Sequence, residues 1–224
     1  MSEELNIVQC VQGDHDWWES RLGMLTSSRI ADALAVSKRN GGAELQSRQD
    51  LKLELAVERI TRKPMEHYVS EWMERGAAME PLARGAYELR TGREIQQVGF
   101  VLHPSIKWAG CSPDGLVGED GIVEFKCPKA TTHARYIIAG GIPADYLPQM
   151  NWQLSCCPGR LWNDFVSYHP DFPEPLDLFI YRLDRNEETI AAMEAVARDF
   201  LAKVDELTAQ LKGRVEELNE RERQ

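Results

Sequence analysis

Asp114, Glu124 and Lys126 are the residues of this 224-residue chain whose types and spacing most clearly could do chemistry together. They lie in the run Cys111-Ser-Pro-Asp-Gly-Leu-Val-Gly-Glu-Asp-Gly-Ile-Val-Glu-Phe-Lys-Cys127. Carboxylate oxygens suit a hard cation such as Mg²⁺, with Mn²⁺ as a substitute. A lysine beside such a cation is repelled unless a third party such as phosphate shares the site. The combination is that of metal-assisted phosphodiester hydrolysis.

The flanking residues must bring these groups together. The runs on either side are apolar and β-branched, and a Gly-Glu-Asp-Gly turn (Gly118 to Gly121) separates them, so the stretch reads as a β-hairpin. Glu124 and Lys126 are two apart on its second strand and leave one face, while Phe125 points the other way into a core. Asp114 and Glu124 are then two metal anchors, and the Phe125 backbone carbonyl a third oxygen. Lys126 positions the nucleophile and stabilises developing negative charge. Taken alone, a Pro-Asp-Gly triplet is an ordinary turn and a Glu-x-Lys an exposed charge pair; it is their succession that carries the reading.

Ser112-Pro113-Asp114 followed by Glu124-Phe125-Lys126 resembles the PD-(D/E)XK nuclease signature, and most closely the branch of bacteriophage lambda exonuclease and related viral-type recombination nucleases. Three further segments match that branch in order. Gln12 to Ser28 resembles its amino-terminal motif, Arg75-Gly76-Ala-Ala-Met-Glu80-Pro81 its helical glutamate motif, and Tyr146-Leu-Pro-Gln149-Met-Asn-Trp-Gln153-Leu its glutamine-bearing helix. The match spans Val11 to Tyr168. It implies that Glu80 completes the metal site and that Gln149 orients substrate or water. It also implies that Arg21, Ser28 and Ser112 hold a 5′-terminal phosphate, with Trp17 beside the DNA path. A guanidinium and hydroxyls suit that task. The family's extra arginine after the active-site strand has no identical counterpart; Lys129 and Arg135 are the nearest substitutes.

The activity so implied is Mg²⁺-dependent 5′-to-3′ digestion of linear double-stranded DNA, releasing mononucleotides and leaving 3′ single-stranded tails. The implied partners are DNA ends, a phage-type single-strand annealing protein and two further copies in a homotrimeric ring. The resemblance also places the chain in the cytoplasm of a bacterial cell, encoded by a phage or prophage. Two readings stay open beside this one: a nuclease of other polarity or an endonuclease, and a catalytically silent DNA-binding module.

The chain carries 26 Lys and Arg against 36 Asp and Glu, a net charge of −10, so no global basicity advertises nucleic acid. Between Ser20 and Lys63, nine basic residues (Arg21, Arg29, Lys38, Arg39, Arg48, Lys52, Arg59, Arg62, Lys63) oppose five acids, which reads as a local phosphate-binding groove once the family match is weighed. Five cysteines without C-x-x-C spacing suggest a reduced, cytosolic setting and no iron–sulfur cluster. No apolar run reaches the roughly 20 residues of a membrane span. His67, His103, His133 and His169 have no ligand-like spacing and read as structural or surface.

The expected fold is α/β (α+β): a central mixed sheet flanked by helices, with a PD-(D/E)XK restriction-endonuclease-like core. One nuclease domain covers residues 1–224, with 186–224 a helical extension that docks on it or, as the alternative, contacts another subunit or a partner. Expected helices lie at Asp14–Gly23, at Thr26 or Ser27 to Leu34, at Ala43–Arg62, at Ser70–Arg90 with a kink or restart at Pro81, at Thr131–Ala139 and at Pro143–Cys156. Expected strands are Glu94–Leu102, Ile106–Leu116, Ile122–Cys127, Trp162–Tyr168 and Leu176–Leu183.

Overall fold

The computed structural model describes residues 4–37, 42–65 and 71–222. In chain order the elements are β1 (Ile7–Val8), α1 (His15–Ser20), β2 (Leu25–Thr26), α2 (Ile30–Ala33), α3 (Gln46–Thr61), α4 (Glu71–Thr91), β3 (Ile95–Gln96), β4 (Phe100–Leu102), β5 (Ala109–Cys111), β6 (Gly115–Val117), β7 (Gly121–Lys126), α5 (Ala130–Ala139), a 3-10 turn at Ala144–Tyr146, α6 (Leu147–Cys156), β8 (Trp162–Tyr168), β9 (Leu178–Asp184) and α7 (Glu187–Glu222). His67, Lys38 and Arg39 lie outside the described residues.

The strands form two mixed sheets, β1-β4-β5-β2 and β3-β6-β7-β8-β9, where the sequence suggested one. The division falls inside two stretches expected to be single strands. Gly99 separates β3 from β4; a Cβ there would come within 2.6 Å of the Cys10 carbonyl, so the backbones cross too closely for any side chain. Ser112-Pro113-Asp114 separates β5 from β6, because Pro113 has no N–H to continue a ladder. The two-residue strands β1 and β2 are too short to leave a periodic signature, and Thr26 proves to be strand rather than a helix cap. Helix α2 starts at Ile30 with no side-chain cap. Helix α4 runs through Pro81 without a break. The Asp14 cap is as read: its carboxylate accepts the Trp17 N–H at 2.7 Å.

One core lies between the first sheet and α2, α3, α6 and α7, built on Leu25, Leu51, Leu55, Trp152, Phe200 and Val204. A second lies where α4 covers the second sheet, with Tyr87 edge-on to Phe125. Helix α7 docks on its own chain through Ile190, Ala197, Phe200 and Val204, and its apolar stripe emerges into solvent at Leu211, Val215 and Leu218. Two of the basic residues between Ser20 and Lys63, Arg48 and Arg59, serve this docking, and Arg29 and Lys52 pair within their own segment, so these four are engaged inside the chain and not free for DNA. Arg48 meets Glu44 and Asp199, Arg59 meets Asp205 at 2.6 Å, Lys52 meets Glu44 at 2.5 Å, and Arg29 pairs with Glu54. Glu44 is four residues from Arg48 and eight from Lys52, and Glu54 is 25 from Arg29, while Asp199 and Asp205 on α7 are acids that counting between Ser20 and Lys63 leaves out. Among the described residues no helix is long and apolar enough to cross a membrane. All five cysteines are free thiols.

Three buried histidines have structural partners. The His103 Nδ1 accepts the Ser105 and Ile106 N–H groups at 3.2 and 3.1 Å, so its proton sits on Nε2, 2.9 Å from the Ser155 hydroxyl, which donates to Glu194 at 2.8 Å. This tautomer cannot act as a base toward Ser155. Burial, partly offset by Glu194, lowers the His103 pKa from 6.5 to about 4. The unfolded chain therefore binds the proton first as pH falls. Stability present in full above pH 6.5 is expected to be lost progressively between 6.5 and 4, by up to about 3 kcal/mol. Urea-unfolding midpoints across that range, compared with His103→Gln, measure this share; the same slope in the variant would remove His103 as its source.

Candidate active site

The site forms where β6 stops short. Antiparallel pairing of β6 with β7 places Gly115 opposite Val123, Leu116 opposite Ile122 and Val117 opposite Gly121, so nothing in β6 faces Glu124, Phe125 or Lys126. The turn between them uses Gly118 at φ 56°, a left-handed conformation suited to glycine. On its other side β7 pairs in parallel with β8 along its whole length. Past Val123, the Asp114 side chain takes the place of β6: its Oδ2 accepts the Phe125 N–H at 2.6 Å. In a strand the N–H and C=O of one residue point to the same side. The Phe125 carbonyl therefore turns toward Asp114 and away from β8. Gln12 fixes the approach by donating to the Pro113 and Val98 carbonyls at 2.8 and 2.9 Å.

Glu124 is only 2 % exposed, yet its carboxylate is saturated with donors. Oε1 takes the Lys126 ammonium and the Gln149 amide at 2.6 Å; Oε2 takes the Gln153 amide at 2.5 Å. Gln149 and Gln153 are four apart on α6, one helical turn, so both reach the same carboxylate. Tyr146 lies under the Lys126 ammonium, 5.0 Å from ring centre. Glu80 comes from α4 and is bonded to Arg84 at 2.9 Å rather than to β7. Its proximity is electrostatic: burial chiefly, and then the charge of Glu124, raises the Glu80 pKa against the pull of Arg84.

The three carboxylates press on one another. Burial first, then Glu124 and Glu80, push the Asp114 pKa well above the ordinary carboxylate range. Burial lowers the Lys126 ammonium, but Glu124 and Asp114 outweigh that and hold it above its usual value. Among the described residues, the oxygens of Glu80, Asp114 and Glu124 do not all approach within 4.8 Å of one another; such a group is formed only by exposed His15, Asp16 and Glu19. The separation has a cause: Lys126 and Arg84 draw off Glu124 and Glu80 as internal counterions. An all-oxygen set in which burial and neighbouring carboxylates raise Asp114 and Glu80 fits a hard divalent cation, whose charge would relieve the repulsion.

A second group adjoins the first across Pro113. The Ser112 hydroxyl receives both the Arg21 guanidinium at 2.9 Å and the Trp17 indole N–H at 2.8 Å, and Arg21 lies 4.1 Å over the Trp17 ring. Ser28 stands apart from this trio: it is exposed, with its hydroxyl 3.2 Å from that of Thr26. Lys129 occupies the N-cap of α5 and Arg135 its exposed side. Two participants escaped the sequence reading. Gln153 was visible only as the residue one turn beyond Gln149, and Arg84 as the residue one turn beyond Glu80.

A hairpin acid, a strand Glu-x-Lys and a helix glutamate around a mixed sheet define a nuclease core of the PD-(D/E)XK type. Residues 16–158 match the YqaJ-like viral recombinase domain, and the chain belongs to that family. It is similar to the alkaline exonuclease of Laribacter hongkongensis, with 36 % identity and a TM-score of 0.82 over 92 % of this chain and all of the other. A structure of that exonuclease in complex with dAMP matches equally. A phage-related exonuclease from Haemophilus somnus 129PT shares the fold at 13 % identity, with a TM-score of 0.62 over 86 % of this chain and 96 % of that one. No curated protein matches. Family and homologue support a nuclease role in recombination of the phage type.

Proposed function

We propose that this chain is a Mg²⁺-dependent exonuclease on linear double-stranded DNA that degrades one strand from its 5′ end. The observation that carries the proposal is the convergence of Asp114, the Phe125 carbonyl, Glu124 and Lys126 at the end of β7, with Glu80 close enough to feel their charge. Asp114, Glu124, Glu80 and the Phe125 carbonyl would hold the cation, with Mn²⁺ as a substitute for Mg²⁺. When bound, it supplies Lewis acidity toward water and phosphate. Lys126 then turns from Glu124 to the scissile phosphate, donating N–H bonds to the charge that develops there. Gln149 orients water or phosphate beside it.

Arg21 and Ser112 receive the 5′-terminal phosphate, with Trp17 holding the guanidinium flat; Ser28, Lys129 and Arg135 meet the DNA apart from that pocket. Separating a terminal-phosphate pocket from the carboxylates by one proline sets the cut at a fixed distance from the end, and mononucleotides follow. The 3′ tails left behind suit a phage-type single-strand annealing protein. A homotrimeric ring around the duplex accounts for processive digestion by an acidic protein. Residues 1–224 act as one nuclease domain, with 186–224 its helical extension, in the bacterial cytoplasm.

The deciding experiment digests linear duplex labelled at either end, with and without EDTA, alongside a closed circle. Release of 5′ label first, abolished by EDTA, with the circle intact, is the expected pattern. Cutting of the circle would favour an endonuclease, early release of 3′ label the opposite polarity, and no digestion under any divalent cation a silent DNA-binding module.

A further inference from the structure

The two oxygens of Glu124 are held in different ways. Oε1 faces the open side of the site: its partner Lys126 is 23 % exposed along its side chain, and Gln149 is half-buried. Oε2 faces inward and meets only Gln153, which is fully buried on α6. An amide has two ends, and only the NH₂ end attracts a carboxylate; the carbonyl end repels it. Something must therefore fix which way the Gln153 amide points. Asn163, fully buried on β8 opposite Ile122, does so: its Nδ2 donates to Gln153 Oε1 at 2.7 Å and to the Met150 carbonyl at 3.3 Å. With its Oε1 occupied by a donor, Gln153 must present Nε2 to Glu124. The arrangement carries a cost, since Asn163 Oδ1 is buried without a hydrogen-bond partner among the described residues. Two apolar side chains would fill that space without this penalty.

We infer that Gln153 is a positioning residue for Glu124, with its polarity set by Asn163, so that Oε2 stays anchored and Oε1 is the oxygen presented to the divalent cation. The inference rests on the nuclease reading above and deepens it. The relay joins α6 to β8 and reaches the site from behind, where neither DNA nor solvent touches it. Lys126 and Gln149 can leave Oε1 during turnover, while the Gln153 bond to Oε2 persists. Residues that orient metal-binding carboxylates commonly change metal affinity or activity 10–100-fold when replaced.

The test uses the full chain with Gln153→Met, Asn163→Leu and the double variant, of which the first two approximate the lost side chains in size. Mn²⁺ binding to the DNA-free protein is measured by titration calorimetry, and duplex digestion is followed as Mg²⁺ is varied. For Gln153→Met, Mn²⁺ affinity is expected to fall about 10–100-fold, and the Mg²⁺ concentration for half-maximal digestion to rise in step, while far-UV circular dichroism stays that of wild type. Asn163→Leu should weaken Mn²⁺ binding in the same direction, and the double variant should be no worse than Gln153→Met, because Asn163 acts only through it. Should Gln153→Met fail to fold, Asn163→Leu alone keeps the question open to an answer. Wild-type Mn²⁺ affinity in either folded single variant would overturn the inference, as would additive losses in the double variant. A wild-type protein that binds no Mn²⁺ and digests nothing would instead defeat the nuclease reading.

Discussion

Replacing Asp114 by Asn is expected to reduce Mg²⁺-dependent digestion of linear duplex at least about 10³-fold, equivalent to about 4 kcal/mol of transition-state stabilisation, while making the metal-free protein more heat-resistant. The two effects share one origin. Asp114 is desolvated and faces Glu124 and Glu80, and its raised pKa records how poorly the fold tolerates its charge. An Asn side chain still offers an oxygen to the Phe125 N–H, now bonded at 2.6 Å to Asp114 Oδ2, so the local backbone keeps its partner. What disappears is the negative charge. Relief of about 1 kcal/mol would raise the melting temperature by about 2–4 °C in a protein of this size. Mg²⁺ should stabilise the wild type against heat and leave the variant unmoved, because only a ligand held by the folded state shifts the equilibrium. Digestion by the variant at the wild-type rate would remove Asp114 from the site. Equal stabilisation of both proteins by Mg²⁺ would place the cation elsewhere.

Replacing Arg21 by Ala should act on DNA ends and not on chemistry. Its guanidinium is partly buried and bonded to a neutral hydroxyl, and among the described residues no carboxylate lies within 4.0 Å of it. Burial lowers its pKa to about 10, against the weaker upward pull of Cys111 and Glu58. A cation held so far from its counterions is prepared for an anion from outside. Charge-assisted hydrogen bonds to a phosphate contribute about 1.5–3 kcal/mol, or about 10- to 100-fold in rate. Wild type is therefore expected to digest 5′-phosphorylated duplex that much faster than 5′-hydroxyl duplex, and Arg21→Ala to bring the two rates together by slowing only the first. Arg21→Lys should restore little, since an ammonium cannot span Ser112 and a phosphate in one plane. Equal loss on both substrates would show that Arg21 supports the fold around Trp17 instead of the DNA end.

The sequence made the hairpin legible because its alternation, its turn and its acid–base residues all fall within 17 positions. Helices α3, α6 and α7 and strand β8 were equally plain, each having enough residues for a period to emerge. The two-residue strands β1 and β2 were not, and with them went the division into two sheets, which depends on a close approach at Gly99 and on the break at Pro113 rather than on periodicity. The basic stretch misled because Arg48 and Arg59 find Asp199 and Asp205 about 150 positions away, a pairing that local charge counting cannot see. Gln153 was passed over for a related reason: its meaning depends on Asn163, on a strand that follows its helix, and on a carboxylate that precedes it. Arg21, Trp17 and Ser112 could be grouped through family resemblance, whereas the hydroxyl shared between the two donors is visible only in space.

Because β6 begins only at Gly115, the second sheet has an unfinished edge beside the last residues of β7. A sheet completed there would bury the Phe125 carbonyl in a ladder and leave Asp114 no N–H to cap. Function thus occupies the space of a missing rung, and Pro113 guards the vacancy by denying the neighbouring strand the amide that would let it grow. Substitutions that lengthen β6 should therefore strengthen the scaffold and silence the enzyme in a single step.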